Sequence, residues 1–293
     1  MIHSNHKMLW GKTGLSMGLL FFLVAAVGIF VPPDKNSVQE IVFSIEKGEG
    51  SRDIAYNLQM QGLTRSGPFF RLYVLTTGVS HKLQAGDYLL GPSLSLFDIV
   101  QKFTRGDVIK ERITIIEGWN IQDITEYLEG KGIQIDISRS LEGYLFPDTY
   151  YVPRASSGFE IITMMRQNFE KKFDQVLRDE MAKQNKTTHE VITMASLVEK
   201  EVRTLEDKKV AAGILWKRLS IGMALQVDAA PITYVVPGLP QNPIASSGLE
   251  SIQAALYPTD SPYWYYLSTP EGKTIFSKTL EEHNIAKAKY LKN

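Results

Sequence analysis

Thr187-Thr-His-Glu-Val-Ile-Thr-Met-Ala-Ser-Leu-Val-Glu-Lys-Glu-Val202 carries a complete helix signal at the centre of the chain's second half. Thr187 and Glu190 form a Thr-x-x-Glu capping box, in which side chain and backbone satisfy each other's free donors. Val191, Ile192, Ala195, Val198 and Val202 then recur at helical spacing and predict one apolar stripe. Glu199 falls on the edge of that stripe. Glu201 projects to the far flank, and Ser196 neighbours Lys200, away from the apolar face. A carboxyl group held against apolar surface has its charged form disfavoured and can act as an acid near neutral pH. Periodicity therefore favours Glu199 as the partly desolvated carboxylate and Glu201 as a solvated or ion-paired one. A helical glutamate is more often a plain surface charge, so position alone assigns no chemistry.

The 293 residues allow two or three domains and a sizeable core. Lys and Arg number 32, Asp and Glu 32, for a formal net charge of +0. With no basic block, nucleic acid is not an expected partner, because phosphate binding needs a positive field. The chain has no cysteine, which excludes thiolate zinc sites and cysteine nucleophiles. Its five histidines show no HExxH or paired spacing, so no metal and no cofactor are expected.

From Gly14 to Val31 the chain is almost purely apolar. A helix of that length spans roughly 27 Å, close to a hydrocarbon core. Lys7 and Lys12 precede it and Pro32-Pro33-Asp34 ends it. That charge bias predicts a single-pass anchor with the N-terminus inside and the remainder outside the cytoplasmic membrane. A cleaved signal peptide is the competing reading. Ala26-Val27-Gly28 offers a small-x-small site, but apolar residues continue past it.

Two further segments align without gaps. Ile45-Glu-Lys-Gly-Glu-Gly-Ser-Arg-Asp-Ile-Ala-Tyr-Asn-Leu-Gln-Met-Gln-Gly62 matches Ile115-Ile-Glu-Gly-Trp-Asn-Ile-Gln-Asp-Ile-Thr-Glu-Tyr-Leu-Glu-Gly-Lys-Gly132 at a constant offset of 70, since 118 minus 48 and 128 minus 58 agree. Each copy reads as strand, glycine turn and short amphipathic helix ended by glycine. A fainter copy runs from the strand at 85–90 to Phe103. The pattern resembles LysM, a small glycan-binding module. Two readings stand: a region that holds polysaccharide, with Trp119 and Tyr88 stacking on sugar rings, or a packing scaffold in which those aromatics are core.

Five boxes in order carry a wider resemblance. Glu142-Gly-Tyr-Leu-Phe-Pro-Asp-Thr-Tyr150, Ala195-Ser-Leu-Val-Glu-Lys-Glu201, Lys217-Arg-Leu-Ser-Ile-Gly-Met-Ala-Leu-Gln-Val-Asp228, Gly238-Leu-Pro-Gln-Asn-Pro-Ile-Ala-Ser-Ser-Gly248 and Phe276-Ser-Lys-Thr-Leu-Glu-Glu-His-Asn284 resemble the boxes of the YceG-like proteins, the endolytic murein transglycosylases. The resemblance runs from the anchor to the C-terminus. Departures occur at Ala229-Ala230, where Pro-Thr is usual, at Asn242 and Ser246-Ser247, and in a shortened 234–238 segment. They bear on one wall of the cleft.

The resemblance implies cleavage of the β-1,4 bond between N-acetylmuramic acid and N-acetylglucosamine in peptidoglycan. The muramyl C6 hydroxyl attacks its own anomeric carbon and leaves a 1,6-anhydro end. It implies Glu199 as the catalytic residue, with Glu142, Tyr144, Phe146, Asp148, Tyr150, Ser196, Glu201, Gln226, Asp228 and Asn284 along the substrate. A tethered nucleophile removes much of the entropic barrier, and one carboxyl can first give and then accept the proton. No second carboxylate at fixed spacing is evident in the sequence. The partners implied are peptidoglycan glycan strands, the membrane through one N-terminal helix, and cell-wall synthases. A non-catalytic glycan-binding scaffold of cell-wall assembly is the rival.

The expected architecture is α+β: a cytoplasmic tail and transmembrane anchor over 1–34, a LysM-like α/β part with the internal repeat over 35–140, and a mixed helical and β catalytic part over 141–293. Within the last, helices are expected from Ser157 towards Lys183, over Asp207 to Leu219 and over Glu281 to Leu291. A β-hairpin is expected around Pro270-Glu-Gly272.

Overall fold

The computed structural model describes residues 19–20 and 22–291. The first part of the expected anchor lies outside them. Among the described residues, no helix is long and apolar enough to cross a membrane. Residues 22–30 are helical. The described chain is a mixture of helices and three two-stranded sheets, as an α+β reading requires. Its described residues divide into two compact units, one running up to residue 111 together with 151–155, the other of 112–150 with 156–291. The division falls inside the span expected for the LysM-like part.

In the smaller unit, β1 (Ile41–Ile45) pairs antiparallel with β2 (Gly86–Leu90), Ile41 opposite Leu90 and Ile45 opposite Gly86. Alternation sends Phe43, Ile45, Tyr88 and Leu90 inward. They meet the apolar faces of α1 (Ser51–Met60), α2 (Gly67–Thr76) and α3 (Leu96–Arg105). Phe103 gathers the core, with ring centroids 4.7 Å from Tyr88 and 5.8 Å from Phe43. Tyr88 is therefore core, its hydroxyl donating to the Gln84 carbonyl at 2.7 Å.

The chain passes to the larger unit within β3 (Lys110–Thr114), which pairs with β4 (Thr149–Pro153). The second copy of the repeat follows as α4 (Ile121–Gly130). The two copies end alike. Gly62 and Gly132 take φ of +71° and +81°, a conformation that favours glycine. Leu63 N–H then reaches the Leu58 carbonyl, and Ile133 N–H the Leu128 carbonyl, each at 3.0 Å. Their starts differ: Asn120 and Asp123 close a capping box before α4, whereas Gly50 offers α1 no side-chain cap.

The core of the larger unit is α7 (Thr188–Glu201), with α8 (Leu205–Ser220) and α9 (Leu249–Leu256) packed against it. The expected capping box at Thr187 and Glu190 is present. The expected one-sided stripe is not, since every residue from Val191 to Val198 is buried. A helix at the centre of a bundle has no solvent face, so a buried hydroxyl such as that of Ser196 needs an internal partner, while the buried Thr193 hydroxyl has none among the described residues. Ser196 donates to the Thr193 carbonyl at 2.7 Å and accepts from Ile244 N–H at 3.0 Å. The single helix expected after Ser157 is two, α5 (Gly158–Lys172) and α6 (Gln175–Lys183). Asp174 breaks the run by capping Leu177 N–H at 3.1 Å. β5 (Tyr265–Ser268) and β6 (Thr274–Ser277) form the expected hairpin, and α10 (Leu280–Tyr290) closes the chain.

Candidate active site

Glu199 and Glu201 stand two residues apart at the end of α7, so their side chains leave the helix about 200° apart. Glu199 turns inward. One oxygen accepts from Lys208 Nζ at 3.2 Å. The other accepts from Gly248 N–H at 2.9 Å and from the Ser251 hydroxyl at 2.7 Å. The side chains of Lys208 and Glu199 are 4% and 9% exposed, so neither oxygen of Glu199 is free to reach an outside molecule. Glu117 lies beside this group, its carboxyl pushed up by burial and by the charge of Glu199, against the pull of Lys208.

Glu201 turns the other way, into a cleft of ≈ 380 Å³ that also holds Gln226, Asp228 and Asn284. Burial pushes its carboxyl up to about 7, with the charge of Asp228 adding and hydrogen bonds from the Ala229 and Asp228 backbone opposing. Its place in the last turn of α7 sets it at the negative end of the helix dipole, which also disfavours a carboxylate. Ala229 N–H reaches it at 3.4 Å. Where the YceG-like boxes resembled by the sequence carry proline, this chain has a residue with an N–H, and that N–H meets the carboxyl.

The facing wall is a loop pinned by a buried threonine. Thr233 Oγ1 accepts from Val227 N–H at 2.9 Å and donates to the Ala230 carbonyl at 2.7 Å. This fold turns Gln226 to φ +54°, a rare conformation for a side chain larger than glycine. The Tyr234 hydroxyl donates to Asp228 Oδ1. Arg218 buttresses the floor from α8, its Nε on the Trp264 carbonyl at 2.8 Å and its Nη1 on the Leu225 carbonyl at 2.7 Å.

Four residues singled out by the sequence thus converge: Glu201, Gln226, Asp228 and Asn284. The others do not line that cleft. Glu142 accepts from Ile121 N–H at 3.2 Å beside a different cavity. Tyr144 packs edge-on to Phe169, and Phe146 is buried. Tyr150 donates to the Phe146 carbonyl. Asp148 accepts from Asn168 at 3.0 Å. Ser196 is wholly buried. The sequence reading missed Arg218, Tyr234, Tyr265, Tyr266 and Lys287, which share the cleft. Tyr266 is the most telling: its buried hydroxyl finds no hydrogen-bond partner among the described residues. Burial holds it well above its ordinary range, with the charge of Glu201 adding. A larger cavity of ≈ 830 Å³ beside α5 contains none of the residues the sequence singled out, other than by neighbourhood in the chain.

Comparison with known proteins gives the family. A sequence model of the YceG-like family matches residues 43–232 and 231–289. The chain belongs to the YceG-like family. A relative from Bacillus subtilis (strain 168), named endolytic murein transglycosylase, is 30% identical over 315 residues, covering 89% of this chain and 87% of the relative. A protein of the same name from Streptococcus pneumoniae (strain ATCC BAA-255 / R6) is 24% identical, covering 92% of this chain and 62% of the relative. A crystal structure of a yceG-like protein from Listeria monocytogenes superposes with a TM-score of 0.53 at 30% identity, over 86% of this chain and all of the other, 100%.

Two stability effects follow. Because the folded-state value of Glu201 is raised, folding favours its protonated form; that stability is complete below the ordinary value and is lost as pH rises through about 7. Glu201→Gln should therefore melt higher than the parent at pH about 8, by about 1–3 kcal/mol, and level with it near pH about 4. Thermal unfolding across pH checks this, and a variant less stable at the higher pH contradicts it. Lys208→Met strands Glu199 without its cation and should cost about 3–5 kcal/mol in urea unfolding, much of it recovered by adding Glu199→Gln.

Proposed function

We propose that this member of the YceG-like family is a membrane-anchored peptidoglycan lytic transglycosylase in which Glu201, rather than Glu199, is the catalytic acid and base. The observation that supports it most is the division of labour at the end of α7. Both oxygens of Glu199 are engaged inside the protein, while Glu201 faces a polar cleft with its carboxyl raised to about 7. The names of the Bacillus and Streptococcus relatives supply murein as the substrate class.

The chemistry follows from these groups. Protonated Glu201 gives its proton to the glycosidic oxygen as the bond to the muramyl C1 breaks. Positive charge develops at C1, and the Asp228 carboxylate, held by Tyr234, lies in the same cleft to offset it. The muramyl C6 hydroxyl then bonds to C1, and Glu201, now ionised, takes its proton. The products are a shortened strand with a 1,6-anhydro end and a free N-acetylglucosamine 4-hydroxyl. Gln226 and Asn284 supply donors for acetamido and hydroxyl oxygens. Acting inside nascent strands, the enzyme would limit their length, with its catalytic part outside the cytoplasmic membrane and cell-wall synthases as partners.

Asp228 gives the cleft a second carboxylate, so hydrolysis must be distinguished by products. Purified glycan strands incubated with the protein should yield 1,6-anhydro ends by mass spectrometry. Glu201→Gln should lower cleavage by at least about a thousandfold while keeping the fold. Predominantly reducing ends would show a hydrolase. A Glu201→Gln variant within tenfold of the parent would remove Glu201 from the mechanism.

A further inference from the structure

The helix at residues 22–30 is packed onto the smaller unit along one stripe. Ala25 is buried, Gly28 and Ile29 are half-buried, and the Phe69 ring lies directly on Gly28, where a β-carbon would collide with it. Ile29 and Phe69 both pack against the unit's core. Phe30 meets Phe97 at 5.6 Å between ring centroids, and Tyr73 meets the same ring at 6.3 Å. Arg65 then fixes the exit of the helix, with Nη2 at 3.1 Å from the Pro32 carbonyl and 3.0 Å from that of Pro33. Asp34 N–H completes the junction on the Pro92 carbonyl at 3.0 Å. No flexible linker separates the apolar helix from the folded unit.

The other sides of this helix are bare. Phe22, Leu23, Val24, Val27, Phe30 and Val31 are exposed. Their surface continues into the half-exposed rings of Phe69, Tyr73 and Phe97 on α2 and α3. A continuous apolar and aromatic surface of this kind is not stable against water and marks an interaction site. Aromatic rings gathered where an apolar helix leaves a hydrocarbon layer suit the headgroup region. Arg65 and Arg71 flank them, and no carboxylate partner for either occurs among the described residues.

We propose that this end of the smaller unit, formed by residues 65–73 and 92–97, is seated in the headgroup layer of a phospholipid bilayer, so that the anchor orients the unit as well as tethering it. The inference rests on the anchor reading above. It adds that the ladder end where Ile41 meets Leu90 faces lipid. The other end, at Ile45 and Gly86, then stands roughly 15 Å farther out.

The absence of cysteine makes the test direct. The full chain, reconstituted in nanodiscs, is labelled with an environment-sensitive fluorophore at Ser93→Cys, Glu46→Cys or Leu20→Cys. Ser93 is exposed in the turn before Phe97, and Glu46 is exposed at the far end of β1. A nitroxide on the lipid headgroup should quench the Ser93 probe about twofold and leave the Glu46 probe unchanged, while a nitroxide deep in the acyl chains quenches the Leu20 probe. Quenching at Leu20 with none at Ser93, or equal quenching at Ser93 and Glu46, overturns the seating while keeping the anchor. Failure at Leu20 overturns the anchor and the seating together.

Discussion

The larger unit depends on a buried ion pair. Glu199 on α7 meets Lys208 on α8, and its second oxygen takes Gly248 N–H and the Ser251 hydroxyl at the start of α9. Three helices are thereby held at one carboxylate. Burying two charges is costly unless the geometry satisfies both ions, and here each oxygen of the acid has its donor. The pair fixes the rotation of α7 about its own axis. Once Glu199 points into the bundle, Glu201 must point out of it.

That rotation sets Glu201 in the cleft, where burial raises its carboxyl. Glu201 loses most of its water to the surrounding cleft but forms no ion pair among the described residues, and Asp228 stands nearby with the same sign of charge. Backbone hydrogen bonds from Ala229 and Asp228 oppose the rise without cancelling it. Two glutamates separated by one lysine thus acquire opposite roles from environment alone: one spends its charge holding helices, the other keeps a proton available near neutral pH. The loop pinned by Thr233, the Arg218 buttress and the β5–β6 hairpin complete the cleft around the second.

Much of this was legible in the sequence, and the failures have physical causes. Capping boxes at Thr187 and Ser157, the repeat with its glycine-ended helices, the terminal hairpin and the last helix are local signals, and the structure carries each of them. The convergence of Gln226, Asp228 and Asn284 was what the resemblance of the boxes implied. Periodicity set Glu199 towards the interior, where its side chain is 9% exposed, but gave no sign of its ion pair or of the cleft around Glu201, because it assumes a helix with one wet face. α7 is buried all round from Val191 to Val198, so an edge of the stripe is not an edge of the protein. Nor could spacing reveal Lys208, nine residues on, as the cation that claims Glu199. The aromatic box from Tyr144 to Tyr150 went to the core for a similar reason: flat apolar rings serve packing as well as sugar faces, and Tyr150 closes its own turn on the Phe146 carbonyl.

The account stands most directly on the titration of one side chain. Glutamate labelled with carbon-13 at the carboxyl and followed by NMR across pH, in the parent and in Glu201→Gln, isolates the Glu201 signal. The account predicts a carboxyl titrating at about 7 that disappears in the variant. A Glu201 signal titrating in the ordinary carboxylate range, near 4, would contradict it.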